Sequence, residues 1–73
     1  NMVDLAEIER EILLFPETLS VKIHTVPDER WGTIVCADVV HEGQETSEKE
    51  IRRYLKNRLA SYKIPQIRLR PVR

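Results

Sequence analysis

Hydrophobic residues recur along this chain with two different periods, which separate helical from extended segments. Near the start, four apolar residues follow one another at three- or four-residue spacing, as on the buried stripe of an amphipathic helix: Leu5, Ile8, Ile12 and Phe15. Asp4 followed by Glu7 is typical of a helix start, because their side chains suit the free N–H groups and the positive end of the helix dipole. Pro16 disfavours helical geometry in the residue before it. The sequence therefore predicts a first helix from about Asp4 to Phe15.

The next two hydrophobic runs have the features of β-strands. From Leu19 to Val26, the alternate positions Leu19, Val21, Ile23 and Thr25 are expected to face the core, and His24 falls on the polar side. From Thr33 to Val40 the chain is apolar on both faces except at Asp38, which favours a central strand. Asp38 is expected either to point outward or to pair with a basic side chain.

The segment from Val26 to Gly32 joins these two strands and carries turn signals. Pro27 and Asp28 favour the start of a turn, and Gly32 supplies conformational freedom at its end. The spacing suits a hairpin with a loop of several residues. We therefore expect the two strands to pair antiparallel.

A polar loop, a second helix and a short strand are predicted in the remainder. Residues 41–45 form the loop, and Ser47 with Glu50 makes a capping box. The buried positions of the helix are expected to be Ile51, Tyr54, Leu55 and Leu59, and the water-facing ones Arg52, Arg53, Lys56 and Asn57. Pro65 closes the helical stretch, and Ile67 to Leu69 reads as an edge strand before Pro71. The predicted fold class is α+β, with a small, mainly antiparallel three-stranded sheet packed with two main helices in the order α-β-β-α-β.

The size of the chain limits what it can do alone. Its 73 residues are expected to form a single small domain, which leaves little room for a buried small-molecule pocket of about 300 Å³ or more. The lone cysteine cannot form an internal disulfide, so we expect a cytoplasmic location. Membrane insertion is not expected, because no apolar run approaches the ~20 residues needed to span a bilayer.

Charge is distributed unevenly, although the net charge is zero. All twelve acidic residues lie between Asp4 and Glu50, whereas eight of the twelve basic residues follow Glu50. Two interpretations remain open. The basic part of the chain either contacts an anionic partner, or lies beside the acidic first helix in weak surface pairs.

Little in the chain suggests metal or nucleophile chemistry. The candidates are His24, His41 and Cys36, and their number and spacing do not suit a zinc site or an activated nucleophile. We therefore expect no metal site. Nucleic-acid binding through the basic part is not expected either, because the chain has no G-x-x-G clamp, zinc finger or row of aromatic residues on one strand.

Five segments, in this order and spacing, resemble the C-terminal domain of the adenylate-forming enzymes: acyl-CoA synthetases, nonribosomal-peptide adenylation domains and luciferases. They are residues 3–9, the turn Val26-Pro27-Asp28-Glu29-Arg30-Trp31-Gly32, the strand ending Val39-Val40, the helix from Ile51 to Leu59, and Tyr62-Lys63-Ile64-Pro65. The resemblance covers essentially the whole chain and implies the same α+β fold.

The resemblance also implies a reaction in two steps. ATP activates a carboxylate as an acyl-adenylate, and the acyl group then passes to a thiol of coenzyme A or of a carrier protein's phosphopantetheine. In such enzymes a large N-terminal domain binds ATP with magnesium and the acyl substrate, while the small domain is a lid that moves between the half-reactions. The implied partners are that large domain and, in some enzymes, an acyl or peptidyl carrier protein. We expect no cofactor to bind this chain alone.

The resemblance implies that two features of the family lie outside these residues, so we expect the chain to be a lid incomplete at both ends and without a catalytic residue. The family's hinge lies before Val3, and its catalytic lysine motif lies beyond Arg73. The resemblance nevertheless suggests Lys56 as a contact for a phosphate of coenzyme A, with a solvated lysine as the alternative. It also suggests Asp28, Arg30, Trp31 and Gly32 as the part that docks on the large domain.

The rival interpretation is a non-catalytic interaction module that keeps the same fold. Such a module would bind a carrier protein or a cognate N-terminal domain. In either case the chain alone is expected to have no ligase activity.

Overall fold

Two helices and three strands form in the order that the hydrophobic pattern predicts, so the α+β class is confirmed. The computed structural model describes residues 4–43 and 45–72. Its elements are α1 (Leu5–Leu13), β1 (Thr18–Asp28), β2 (Gly32–His41), α2 (Glu48–Lys56), a 3₁₀ turn (Ser61–Lys63) and β3 (Gln66–Pro71). Val3, where the family resemblance begins, and Gln44 of the predicted loop lie outside the described residues. Within those residues, neither helix is long and apolar enough to cross a membrane.

Strand β2 lies at the centre of the sheet, whose order is β1-β2-β3. It pairs antiparallel with β1 and parallel with β3. The parallel pair requires a crossover, and α2 provides it. The predicted central and edge strands are therefore confirmed, and the antiparallel ladder is the longer of the two.

The core lies between the two helices and one face of the sheet. The buried residues of this cluster are Ile8, Ile12, Ala37, Val39, Ile51, Leu55, Leu59 and Ile67. Both helices are capped as predicted. The Asp4 carboxylate accepts hydrogen bonds from backbone N–H groups of α1, and the Ser47 hydroxyl accepts one from Glu50 in α2. The predicted stripes of the two helices thus fix which side of each helix remains in solvent, except that Leu5, expected in the first stripe, is 38% exposed.

Three local predictions about β1 are wrong. Thr25 was expected to face the core, but it is exposed. Leu19 was expected to face the core, but it is 49% exposed, because the strand register is irregular between Thr18 and Ser20. The turn is also shorter than expected, since β1 continues through Pro27 to Asp28 and β2 resumes at Gly32. A proline is tolerated there because β1 is an edge strand.

His41, predicted to begin a loop, is instead the buried last residue of β2. Its Nε2 atom lies 2.7 Å from the carbonyl oxygen of Pro16, and its Nδ1 atom accepts a hydrogen bond of 2.9 Å from the N–H of Gly43. A carbonyl can only accept, so the ring carries its proton on Nε2. The ring also packs 5.5 Å from that of Phe15. His41 therefore links the end of α1 to the loop before α2.

Replacing His41 by phenylalanine should destabilise the fold, because the N–H of Gly43 and the carbonyl of Pro16 lose their hydrogen-bond partner in the buried His41 ring. The expected loss in the free energy of unfolding is about 2 kcal/mol. The measurement is urea unfolding followed by circular dichroism. His24→Phe is the matched control, because His24 is partly exposed and its pairing should be worth about 1 kcal/mol or less. Equal losses in the two variants would contradict the role given to His41.

Candidate functional site

A groove of about 720 Å³ runs between the hairpin tip, α2 and the segment that leads into β3. We call it the Trp31 groove. Its lining consists of Trp31, Thr33, Ile34, Val35, Arg52, Lys56, Ser61, Tyr62, Lys63, Ile64, Pro65 and Gln66. Three separate elements thus contribute a tryptophan, basic side chains and a tyrosine to one surface.

The turn of the hairpin holds Trp31 in a fixed position on the surface. The Asp28 carboxylate accepts hydrogen bonds from the backbone N–H groups of Arg30, at 3.0 Å, and Trp31, at 2.7 Å. Gly32 follows with a φ of 82°, a left-handed conformation that glycine adopts without strain. The Trp31 side chain is 72% exposed, and the Arg30 guanidinium lies 5.5 Å from its ring centre. The turn therefore presents an indole to solvent without relying on core packing.

Helix α2 brings Arg52 and Lys56 to the groove. Residues four apart lie on the same side of a helix, so these two cations are neighbours. Ile51 and Leu55 are buried beneath α2 and fix its rotation. Arg53, the next residue along the chain from Arg52, is exposed and does not line the groove.

The 3₁₀ turn supplies the remaining wall. Its backbone is closed by a hydrogen bond of 2.9 Å from the N–H of Lys63 to the carbonyl of Ala60. Tyr62 is 63% exposed, whereas Pro65 is buried. The Lys63 ammonium donates a hydrogen bond of 3.1 Å to the Glu7 carboxylate. The wall is therefore anchored to α1.

The Glu7 carboxylate raises the pKa of Lys63 above its ordinary value of 10.5, first through their hydrogen bond and then through its negative charge. Desolvation acts in the opposite direction but is smaller, and the charges of Tyr62 and Asp4 add to the increase. Lys63 therefore remains a cation at neutral pH. Its charge is directed to Glu7, which leaves Arg52 and Lys56 as the cations of the groove that have no ion-pair partner among the described residues.

The opposite face of the sheet carries a second polar group of side chains. His24 Nε2 lies 3.1 Å from the Asp38 carboxylate, and both side chains are about one-third exposed. Asp38 therefore pairs with a basic side chain, and His24 lies on the polar side as predicted. A shallow pocket of about 320 Å³ adjoins the pair and is lined by Ser20, Lys22, Asp38, Val40 and Arg70. Over residues 4–43 and 45–72, no three ligating side chains come together as a metal site requires.

The residues that the resemblance suggests as site residues do not all lie in the groove. Trp31 and Lys56 share the groove, whereas Asp28 and Gly32 shape the turn behind it, and Arg30 packs on the indole. Cys36 is buried, with its Sγ atom 3.9 Å from the Gln66 side-chain oxygen. Its position suits the small core residue that its sequence context predicts.

Sequence reasoning missed two residues of the groove, Arg52 and Tyr62. Arg52 was expected only to face water. It is indeed exposed, but its side chain also lines the groove. Its spacing of four from Lys56 was the available signal. Tyr62 had no such signal, because its position depends on how the 3₁₀ turn packs near the hairpin.

Comparisons with known proteins agree with the resemblance. A family model described as the AMP-binding enzyme C-terminal domain matches residues 7–73. The long-chain-fatty-acid–CoA ligase FadD13 of Mycobacterium tuberculosis (strain H37Rv) is 44% identical over 61 residues, which is 84% of this chain and 12% of that protein. The mitochondrial medium-chain acyl-CoA ligase ACSF2 of Danio rerio is 42% identical over 62 residues, 84% of this chain and 10% of that protein.

Solved structures of such enzymes contain the same fold. A fatty acyl CoA synthetase of Mycobacterium tuberculosis matches with a TM-score of 0.83 and 41% identity, covering 89% of this chain and 13% of that one. The o-succinylbenzoate CoA synthetase MenE of Bacillus subtilis, in complex with the acyl-adenylate intermediate OSB-AMP, matches with a TM-score of 0.81 and 30% identity, covering 93% and 14%. The chain thus spans about one-eighth of the length of these relatives.

Replacing Glu7 by glutamine should lower the pKa of Lys63, because the charge and the charged acceptor are both lost. In the wild type, the folded-state pKa lies above the unfolded value, so stabilisation by the pair is complete below pH 10.5 and is lost as the pH rises through the folded-state pKa. Titration of the Lys63 side chain by NMR measures the shift. Glu9→Gln, an exposed change on the same helix, should leave the titration unchanged. An unaltered Lys63 titration in Glu7→Gln would contradict the assignment.

Proposed function

Because this chain belongs to the AMP-binding enzyme C-terminal domain family, we propose that it is the mobile lid of an ATP-dependent acid–thiol ligase. The full enzyme would join a carboxylate to ATP, forming an acyl-adenylate and releasing pyrophosphate. A thiol would then attack the acyl carbon, forming a thioester and releasing AMP. The observation that carries the proposal is the Trp31 groove, whose exposed aromatic and cationic side chains suit contact with a large domain and its phosphate-bearing ligands.

Most of the catalytic machinery would lie outside these 73 residues. The relatives FadD13 and ACSF2 are named as acyl-CoA ligases, and this chain corresponds to only 12% and 10% of their lengths. The described residues contain no cluster of ligating side chains that fits a magnesium ion. ATP and its metal would therefore be held by the large N-terminal domain, and this chain would act on them by closing over the site.

Trp31 is the residue best placed to dock on that domain. Its indole is 72% exposed, and its backbone is already held by Asp28, so little conformational freedom would be lost on docking. Tryptophan and arginine are also enriched among the residues that dominate protein interfaces. Arg30, packed on the indole, would add a polar contact at the rim.

Lys56 is proposed to contact a phosphate of the thiol acceptor, which is coenzyme A or a phosphopantetheine. It lies in the last turn of α2, and its ammonium has no ion-pair partner among the described residues. An unpaired cation beside an exposed groove can bind an anion without first giving up a carboxylate. The phosphate would be the acceptor's own, and Lys56 would orient it rather than take part in the chemistry.

The isolated 73-residue chain should catalyse no carboxylate-dependent exchange of pyrophosphate into ATP, because it lacks the proposed ATP and acyl sites. The expected rate equals that of a blank without protein. As the positive control, the chain should replace the corresponding segment of FadD13 and restore exchange and thioester formation to that ligase. Exchange by the isolated chain would overturn the lid proposal. Failure of the hybrid in both half-reactions, despite correct folding, would favour a binding module instead.

Replacing Trp31 by alanine should weaken docking far more than folding. In the FadD13 hybrid, we expect thioester formation to fall about tenfold, as for a loss of about 1.4 kcal/mol of interaction. The melting temperature of the isolated chain should change by no more than a few degrees. Leu14→Ala is the matched control, since Leu14 is 63% exposed and does not line the groove. A large fall in melting temperature would instead make Trp31 a residue needed for folding.

A further inference from the structure

The face of the sheet turned away from the two helices is polar. Side chains alternate between the two faces along each strand, and the core side is marked by Val21, Val39 and Leu69. The residues on either side of these three therefore point away from the core. The register places them in two rows across the strands: Ser20, Val40 and Arg70 in one, and Lys22, Asp38 and Arg68 in the next. We call this surface the polar sheet face.

Three cations of the polar sheet face have no ion-pair partner in the part of the chain that the structure describes. They are Lys22, Arg68 and Arg70, all exposed, and they lie on the two edge strands. Asp38 lies between them on the central strand, but its carboxylate is directed to His24, at 3.1 Å from Nε2. The cations are therefore available to a ligand, and the two rows keep a net positive charge.

A shallow pocket of about 320 Å³ lies on this face and brings several hydrogen-bond donors together. It is lined by Ser20, Lys22, Asp38, Val40 and Arg70. The guanidinium of Arg70 matches the geometry of phosphate oxygens, the ammonium of Lys22 supplies a point charge, and the hydroxyl of Ser20 can donate as well. Small-molecule sites start at about 300 Å³, so the pocket suits a ligand of few atoms. The donors favour a phosphate group on such a ligand.

Asp38 adds a second requirement for the ligand. Its carboxylate can accept more than one hydrogen bond, and His24 provides one of them. Its negative charge repels a phosphate that approaches without a compensating donor. A hydroxyl group beside the phosphate supplies that donor, because its proton can point to the carboxylate while the phosphate contacts the cations. The pocket therefore suits a phosphate ester that also carries a free hydroxyl group.

We propose that the polar sheet face binds a small phosphomonoester with a neighbouring hydroxyl group, the chemistry of a sugar phosphate. The phosphate lies between Lys22 and Arg70, whose two charges match the −1.5 to −2 charges, roughly, of a phosphomonoester near pH 7. Ser20 donates to the same phosphate, and Asp38 accepts from the hydroxyl. The site shares no lining residue with the Trp31 groove, and the proposal goes beyond the ligase function and does not depend on it.

NMR titration of the ¹⁵N-labelled 73-residue chain with glycerol 3-phosphate tests the proposal. Propyl phosphate is the matched ligand, because it has the same phosphate and three carbons but no hydroxyl group. Glycerol 3-phosphate is expected to bind with a Kd of about 1 mM, and about fivefold more tightly than propyl phosphate, as for one additional hydrogen bond. The largest shifts should be at the amides of Lys22, Asp38 and Arg70.

Three outcomes of this titration would overturn the proposal. The first is the absence of saturable shifts at about twenty times the expected Kd. The second is equal affinity for the two ligands, which would remove the role given to Asp38. The third is a set of shifts confined to the residues of the Trp31 groove, which also carries cations.

Variants separate a specific contact from a general effect of charge. Lys22→Gln and Arg70→Gln should each weaken binding of glycerol 3-phosphate about tenfold, as for one charge-assisted contact. Arg53→Gln is the matched control, since Arg53 is exposed and lines neither pocket, and it should leave the affinity unchanged. Equal effects of Lys22→Gln and Arg53→Gln would contradict the proposed site.

Asp38→Ala tests the hydroxyl contact by itself. The two ligands should bind this variant with equal affinity, because the acceptor for the hydroxyl is gone, while propyl phosphate should bind it more tightly than it binds the wild type. Circular dichroism shows whether the variant is folded, and the exposed Lys22→Gln provides an independent test if it is not. A fivefold preference for glycerol 3-phosphate that persists in folded Asp38→Ala would overturn the assignment of the hydroxyl.

Discussion

Burial of both helices against one face of a three-stranded sheet is the constraint on which the rest of this molecule depends. Ile8 and Ile12 from α1, with Ile51 and Leu55 from α2, surround the central strand. Burial of these side chains is favourable in proportion to the apolar area removed from water, and it fixes the rotation of each helix. The solvent side of α2 is then set, and Arg52 and Lys56 are turned toward the hairpin.

Three polar links connect elements whose positions are set by the core. His41 ties the end of α1 to the loop before α2, Asp28 closes the hairpin turn, and Glu7 anchors the 3₁₀ turn through Lys63. The His41 link is buried, so its loss would leave backbone groups without partners. The other two links are more exposed, and their main effect is on the positions of neighbouring side chains. They hold Trp31 and Tyr62 at the groove without burying them.

The uneven charge of the sequence has two explanations in the structure. The acidic first helix receives the ion pairs Lys63–Glu7 and Arg58–Glu11, as expected if the basic part lies beside it. Arg52 and Lys56 remain available at the groove, as expected for an anionic ligand. The ion pairs therefore account for Arg58 and Lys63 of the basic segment. Exposed ion pairs contribute little to stability, so these two pairs are expected to add little to the free energy of unfolding.

The local features of the fold could be predicted from the sequence because they depend on neighbours along the chain. The spacing of apolar residues sets the helices and strands, Asp4 and Ser47 cap the helices, and Gly32 permits the end of the turn. The resemblance to the AMP-binding enzyme C-terminal domain could likewise be recognised from five ordered segments of the sequence. The predictions from the hydrophobic pattern failed at the strand irregularity beside Leu19, at the length of the turn and at the burial of His41, none of which has a distinct periodic signature.

The candidate site could not be predicted in the same way. Trp31 and Lys56 were suggested separately, for docking and for a phosphate, and no spacing in the sequence indicates that they share a groove. Glu7 and Lys63 are 56 positions apart, yet their side chains meet at 3.1 Å. Contacts of this kind arise only after the helices have packed on the sheet, because that packing sets the distances between elements. The sequence by itself thus determines the residue types and the local helices, strands and turns. The groove, with its cationic and aromatic side chains, forms only when the tertiary structure brings three elements together.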